Sequence, residues 1–243
     1  MVREKIERRA EHRVVVYDER RWALLRKLRE EATRIMKSLM EAGIASIVHG
    51  SVARGDVHEG SDIDIFVPFT IPSYRIELAL ERGGFHISHK LIVQATPSST
   101  PKAYIVLDPD EKRVVSFPLG KLAKREYEFY YFGGALDLQG LLRNIRVPGV
   151  DKRLVLIEPT PQGHIEYSII GREAEAARKI GISVETVLER VRVLTRRDEV
   201  GRTGVFVKVE LEPWDSIEEA AKRVARNNPL FRRALRERAS PIV

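Results

Sequence analysis

The chain has 243 residues, 43% hydrophobic and 32% charged, with 42 Lys and Arg against 35 Asp and Glu, a formal net charge of +7 and no cysteine. This length leaves room for two modest domains, and the missing thiols exclude disulfides and thiolate zinc sites. No apolar run approaches the ~20 residues of a membrane span and no signal-peptide core is visible, so a cytoplasmic protein without membrane partners is expected, with an Arg- and Glu-rich composition that suits a thermophile.

In chain order, Asp18 stands where a cap belongs for a helix over residues 19–42. Trp22, Leu25, Leu28, Ala32, Ile35, Met36 and Leu39 recur at helical spacing, and Gly43 ends the helix. That stripe reads as core rather than as ligand contacts, and the helix is expected to lie beneath a sheet and feed a strand over Ile44–Val48. Gly50 and Ser51 then turn the chain without side-chain bulk, so that a backbone N–H and a hydroxyl can face an anion. Asp62 and Asp64 alternate with Ile63, Ile65 and Val67 on the next strand, a period that sends both carboxylates to one face and the aliphatic residues to the core. Two hard oxygen ligands on one rigid face suit Mg²⁺, which takes a few carboxylates plus substrate phosphates. Residues 73–82 predict a short helix closed by Gly83-Gly84, residues 85–95 a strand, and residues 97–101, with proline at both ends, a loop. Ala103–Leu107 and Lys112–Phe117 form a predicted hairpin, with Asp108, Asp110 and Glu111 as turn residues.

Residues 49–66, from His49-Gly50-Ser51 to Asp62-Ile63-Asp64-Ile65-Phe66, resemble the signature of the polymerase-beta-type nucleotidyltransferase superfamily. Archaeal CCA-adding enzymes and the minimal nucleotidyltransferases carry a similar Gly-Ser turn followed by Asp-apolar-Asp. The resemblance covers roughly residues 20–120 and implies an α+β nucleotidyltransferase fold, a mixed β-sheet flanked by helices. Carried over residue by residue, it implies that Gly50 and Ser51 hold a nucleoside triphosphate, while Asp62 and Asp64 are catalytic and bind Mg²⁺ or Mn²⁺. Arg54, just after the turn, is a further candidate for the triphosphate. Most active members of the superfamily add a third carboxylate from a neighbouring strand. The resemblance puts it at Val115, or at Ser116 if the register slips by one, and neither is an acid. Two functions stay open: Mg²⁺-dependent transfer of a nucleoside monophosphate group to a hydroxyl of nucleic acid, protein or a small molecule, or a nucleotide- and nucleic-acid-binding regulator that has lost the chemistry.

Further along, Tyr127–Phe132 concentrates aromatic residues beside Gly133-Gly134, either as core or as a surface for stacking bases. Punctuation at Pro148-Gly149 and Pro159–Gly163 divides the chain into a nucleotidyltransferase domain, residues 1–145, and a winged-helix-like domain, residues 146–243. Residues 173–191 read as a helix-turn-helix, with Ala177 at the crossing, Gly181 in the turn, Ser183 as cap, and Ile182 and Val187 in the shared core. A strand over Val205–Val209 would serve as the wing. Glu185, Thr186, Glu189 and Arg190 would then face a groove, with Arg197 and Arg202 as wing contacts. Ser216 and Glu219 make a capping box for a helix through Arg226. The cations from Lys222 to Arg238, and those from Arg190 to Arg202, are either solvated helix faces or a nucleic-acid surface. His86 and His89 sit three apart in a predicted strand and do not align as metal ligands, and His49 and His58 read equally well as satisfied polar groups.

Overall fold

Caps and apolar alternation set most element boundaries in the computed structural model, which describes residues 6–8, 11–201 and 204–242. In chain order these form β1 (Arg13–Val16), α1 (Glu19–Glu41), β2 (Ile47–His49), α2 (Ser51–Arg54), β3 (Ile63–Phe66), α3 (Ser73–Arg82), β4 (His89–Gln94), β5 (Lys102–Val106) and β6 (Arg113–Pro118). They continue with α4 (Lys124–Phe132), β7 (Ala135–Asp137), α5 (Leu138–Leu142), β8 (Gly149–Val150), β9 (Val155–Thr160) and β10 (Gly163–Ser168). The last elements are α6 (Glu173–Ile180), α7 (Val184–Val200), β11 (Val207–Leu211), α8 (Ile217–Asn227) and α9 (Pro229–Glu237). The Asp18 carboxylate accepts from the Arg21 N–H at 2.8 Å, and Gly43 closes α1 in the left-handed region at φ 72°. No helix among the described residues is long and apolar enough to cross a membrane.

The chain divides into two compact units, each assembled from three stretches. The first comprises Met1–Glu30, Val48–Ser61 and Tyr127–Thr203, and the second Glu31–Ile47, Asp62–Glu126 and Gly204–Val243.

In the second unit the strands lie in the order β11, β4, β5, β6, β3. Strand β3 runs parallel to β6, whereas β5 is antiparallel to β6 and to β4, and β11 is antiparallel to β4. Mixed strand directions with packed helices give the expected α+β class. One face of these strands carries Ile63, Ile65, Val115, Phe117, Ala103, Ile105 and Ile92, each at most 1% exposed. Each such buried aliphatic or aromatic side chain is worth ~1.5–3 kcal/mol against exposure, which is what fixes the strand register. The C-terminal half of α1 lies on this face, because Glu31 accepts from Arg113 at 2.6 Å, and α3 joins it through the buried Lys90–Glu77 ion pair at 3.0 Å. The hairpin turn forms as its composition dictates: the Asp108 carboxylate accepts from the N–H groups of Lys112 and Arg113. Burial opposes ionisation there, but these hydrogen bonds and the Arg113 guanidinium outweigh it and hold the carboxyl below its ordinary range.

The first unit is built on an antiparallel sheet in the order β1, β10, β9, β8. Leu154, Leu156, Tyr167 and Ile169 pack with Phe132, Ala176, Ala177 and Val187, so α4, α6 and α7 share its core. Helices α6 and α7 follow one another across a short turn, with Gly181 in the left-handed region and Ala177 and Val187 buried. Two readings of this region need correction. The strand taken for a wing is β11, which pairs with β4 over five residues and finds its apolar partners in the sheet of the second unit. Ser183 occupies the position before α7 but makes no capping bond; its hydroxyl donates to Glu128, as does that of Thr186. Arg202, assigned to the wing, lies outside the described residues.

Candidate active-site face

The motif that begins at Gly50 crosses from the first unit to the second at Ser61-Asp62. Gly50 adopts φ 83° and ψ −149°, a conformation open essentially only to glycine, so its identity is fixed by the backbone. Its N–H donates to the Gly134 carbonyl at 2.9 Å, and the four-residue helix α2 follows at once. The Ser51 hydroxyl donates to that of Ser61 at 3.1 Å, and Ser61 in turn accepts from the His58 N–H, which closes the loop over residues 51–61.

Arg54 is 5% exposed. Its Nε and Nη2 donate to the two carboxylate oxygens of Asp56 at 3.0 and 2.8 Å, and its Nη1 donates to the Gly133 carbonyl at 2.5 Å. The guanidinium is therefore engaged on three sides by protein. Arg29 works alongside it, donating to the carbonyls of Val52, Ala53 and Ile145; burial pulls its pKa down to about 10, with the Arg146 charge adding to the effect. The buried Arg29, which the sequence did not single out, thus holds the Val52 and Ala53 carbonyls of α2, while Arg54, the last residue of α2, ties the helix to Asp56 and Gly133.

In the second unit Asp62 is exposed just before β3, and Asp64 is half-buried within it. Register decides what shares their face. Asp64 pairs with Val114, while Ile65 pairs with Val115, and paired residues in a parallel ladder project to the same side. Val115, 0% exposed, therefore points into the helix-covered core, away from Asp64. The β6 residues on the Asp64 side are Val114 and Ser116, and the Ser116 hydroxyl donates to the Ile65 carbonyl at 3.4 Å. No acid of β6 reaches this face. Through the antiparallel registers of β5, Tyr104 and Lys102 stand on the same side. Burial, aided by the Asp64 charge, pushes the Tyr104 phenol up to about 12, so it is a hydrogen-bond donor at neutral pH. The Lys102 ammonium lies 5.8 Å from the Phe66 ring centre. Neither residue was singled out from the sequence, although Tyr104 and Val106 alternate within the predicted hairpin and Lys102 continues that alternation one residue before it.

Among the described residues no group of three or more His, Cys, Asp or Glu side chains could hold a metal ion together. Asp62 and Asp64 offer a two-carboxylate donor set, which fits an ion that keeps water and phosphate oxygens in its remaining positions. The groove assignments on α7 fare differently. Thr186 is 2% exposed and bonded to Glu128, and Arg190 lies against the rings of Phe129 and Phe132, at 4.8 and 6.0 Å, with burial drawing its pKa down to about 10. Both belong to the packing of the first unit, while Glu185 and Glu189 are exposed. In the aromatic stretch Tyr130 and Phe132 are core, and Tyr127 and Tyr131 are joined through their hydroxyls at 3.0 Å.

Residues 25–131 match the family model of the nucleotidyltransferase domain, a span that contains α2, β3 and the whole Asp64 face. No curated protein and no solved structure matches the chain.

Proposed function

From the nucleotidyltransferase domain at residues 25–131, which supports nucleotidyl transfer as the general activity, we propose that the chain is an Mg²⁺-dependent enzyme moving a nucleoside monophosphate group from a triphosphate to a hydroxyl acceptor. The observation that carries this reading is Asp64 on the half-open side of β3 with Asp62, exposed, just before the strand, a pair that alternation puts in phase. These carboxylates would hold the ion, and Mn²⁺ would satisfy the same oxygen donors. When bound, the ion supplies charge neutralisation of the phosphates and polarises the attacking oxygen.

The remaining roles belong to the chain itself. Gly50 and Ser51 hold the triphosphate, by a turn that only glycine makes and by one hydroxyl. Arg54 acts by position, fixing Asp56 and Gly133 beside that turn. Tyr104, protonated at neutral pH, donates to a substrate oxygen on the Asp64 face, and Lys102 adds positive charge beside it.

Incubation with labelled nucleoside triphosphates, Mg²⁺ or Mn²⁺ and a panel of hydroxyl acceptors tests the reading. Transfer that disappears in the Asp62→Ala/Asp64→Ala protein supports it, and label transferred equally by that variant sinks it. One observation favours a second reading, a nucleotide-binding regulator without turnover: with Val114 and Ser116 on its Asp64 side, β6, the strand next to β3, puts no acid on that face. Saturable triphosphate binding with no turnover under any divalent ion would select it.

A further inference from the structure

In the second unit, Lys222, Arg226 and Arg232 converge on a cleft of about 210 Å³ floored by Ala225 and Ile242. A second cleft of about 200 Å³ adjoins it, sharing Lys222 and Ile242, and its walls are mainly apolar: Ile71, Pro72, Leu119 and Pro241. Glu218, also on this wall, is occupied, accepting from the Ser73 N–H and hydroxyl at 2.6 and 2.8 Å. Ile71 and Pro72 follow β3 and Leu119 follows β6, so this cleft opens off the carboxyl ends of the parallel pair, where sheets with helical cover commonly receive ligands. Neither Asp62 nor Asp64 is among the residues that line the two clefts.

The cations are largely available. Among the described residues Arg226 makes no hydrogen bond or ion pair but acts on Glu219 through its charge, Arg232 spends one nitrogen on the Ala225 carbonyl at 3.2 Å, and Lys222 pairs with the exposed Glu219 at 2.9 Å. Three residues before α8, Trp214 is 81% exposed. A row of positive charge beside an apolar slot is the combination that single-stranded nucleic acid uses, with phosphates on the cations and bases on planar or apolar surfaces, and Trp214 offers an exposed ring in the segment that leads into α8. A lipid surface needs the apolar sides of α8 and α9, yet Ile217, Ala221, Phe231 and Leu235 are each 0% exposed, so those sides are already buried in protein.

We propose that the cleft pair at α8 and α9, with Trp214, binds single-stranded nucleic acid. The binding stands on this surface alone and goes beyond the transfer reading, for which it would supply the acceptor strand. Fluorescence anisotropy with labelled single-stranded RNA and DNA of about 16 nucleotides tests it on the full chain at two salt concentrations. Vesicles rich in phosphatidylserine and a free mononucleotide serve as the competing arms. The expected result is saturable binding that weakens with salt. Lys222→Glu/Arg226→Glu should lower affinity by more than tenfold and flatten the log–log salt dependence by about 1.4, two contacts at ~0.7 each. Trp214→Ala should lower affinity about tenfold. Lys222→Gln/Arg226→Gln, checked for an unchanged melting curve, guards against misfolding of the reversal and should show the same direction of change. Absence of oligonucleotide binding, affinity unchanged in both cleft variants, or tighter capture by vesicles or mononucleotide than by oligonucleotide would each overturn the proposal. Repeating the titration with Asp62→Ala/Asp64→Ala and no triphosphate keeps the two readings apart: strand binding there stays intact whether or not transfer is ever seen.

Discussion

Placing a third carboxylate on the Asp64 face should turn metal binding into a measurable stabilisation, and the register says where it must go. Val114 is the β6 residue beside Asp64, and both are half-buried. Adjacent strands lie about 4.8 Å apart, so the carboxylates of Asp64 and a Val114→Asp side chain would sit about 5 Å from each other. Their repulsion is about 3 kcal/mol at an effective permittivity of 20 and under 1 kcal/mol in bulk water. For half-exposed groups a value of about 1–2 kcal/mol is appropriate, and the valine surface lost adds about 1 kcal/mol. At roughly 2–4 °C per kcal/mol for a chain of this size, the melting midpoint without divalent ions should fall by about 5–10 °C. Mg²⁺ at about 100 times its dissociation constant returns about 2.7 kcal/mol and so most of that loss. Val115→Asp is the control, since position 115 is 0% exposed on the opposite face and an isolated buried charge there costs several kcal/mol that no Mg²⁺ restores. Thermal unfolding followed by circular dichroism across an Mg²⁺ titration reads both. If Val114→Asp gains no more from Mg²⁺ than the parent, or Val115→Asp gains as much as Val114→Asp, the assignment of the face is wrong.

Gly50→Ala meets open space around its added Cβ, so its cost comes from backbone strain alone, about 1–3 kcal/mol, visible as a lowered urea midpoint. A midpoint equal to the parent's would show that the turn tolerates other conformations. Arg54→Met leaves the Asp56 carboxylate, whose side chain is 10% exposed, without its partner and should destabilise by about 3–5 kcal/mol in the same assay; a loss below about 1 kcal/mol would mean the pair is solvated. Glu166 supplies the pH dependence. The hydrogen bond with His164 lowers its pKa, burial opposes, and Arg153 adds to the lowering, bringing the carboxyl down to about 2. Because the folded value lies below the unfolded one of ~4.5, this stability is fully present above pH ~4.5 and is lost as pH falls towards 2. Discounted for partial solvation, it is on the order of 2 kcal/mol. Glu166→Gln should therefore lower the urea midpoint at pH 7 and converge on the parent as pH approaches 2, and a gap independent of pH would refute the linkage.

Local rules made much of this chain legible without coordinates. Asp18 and Ser216 cap their helices, Gly43 and Gly181 end theirs, and Asp108 closes its turn, because each of these interactions spans only a few residues and depends on side-chain chemistry at fixed offsets. Strand alternation likewise assigns the β3 residues to its two faces, Asp64 opposite the buried Ile63 and Ile65, with no knowledge of the neighbouring strand. What alternation cannot supply is the register of one strand against another, and that alone distinguishes Val114 from Val115. Arg54 looked like a ligand contact because its partner Gly133 stands 79 residues away, and Ser183 looked like a cap because Glu128 stands 55 residues away. The Val205–Val209 segment looked like a wing because β4, the hydrogen-bond partner of the strand it belongs to, lies more than a hundred residues earlier in the chain. The sequence by itself thus determined which residues carry charge and which way each side chain alternates along its own element. Only the tertiary structure decided which of them meet, since a hydrogen bond or an ion pair depends on separation in space, and pairing across the sheet sets that separation independently of distance along the chain.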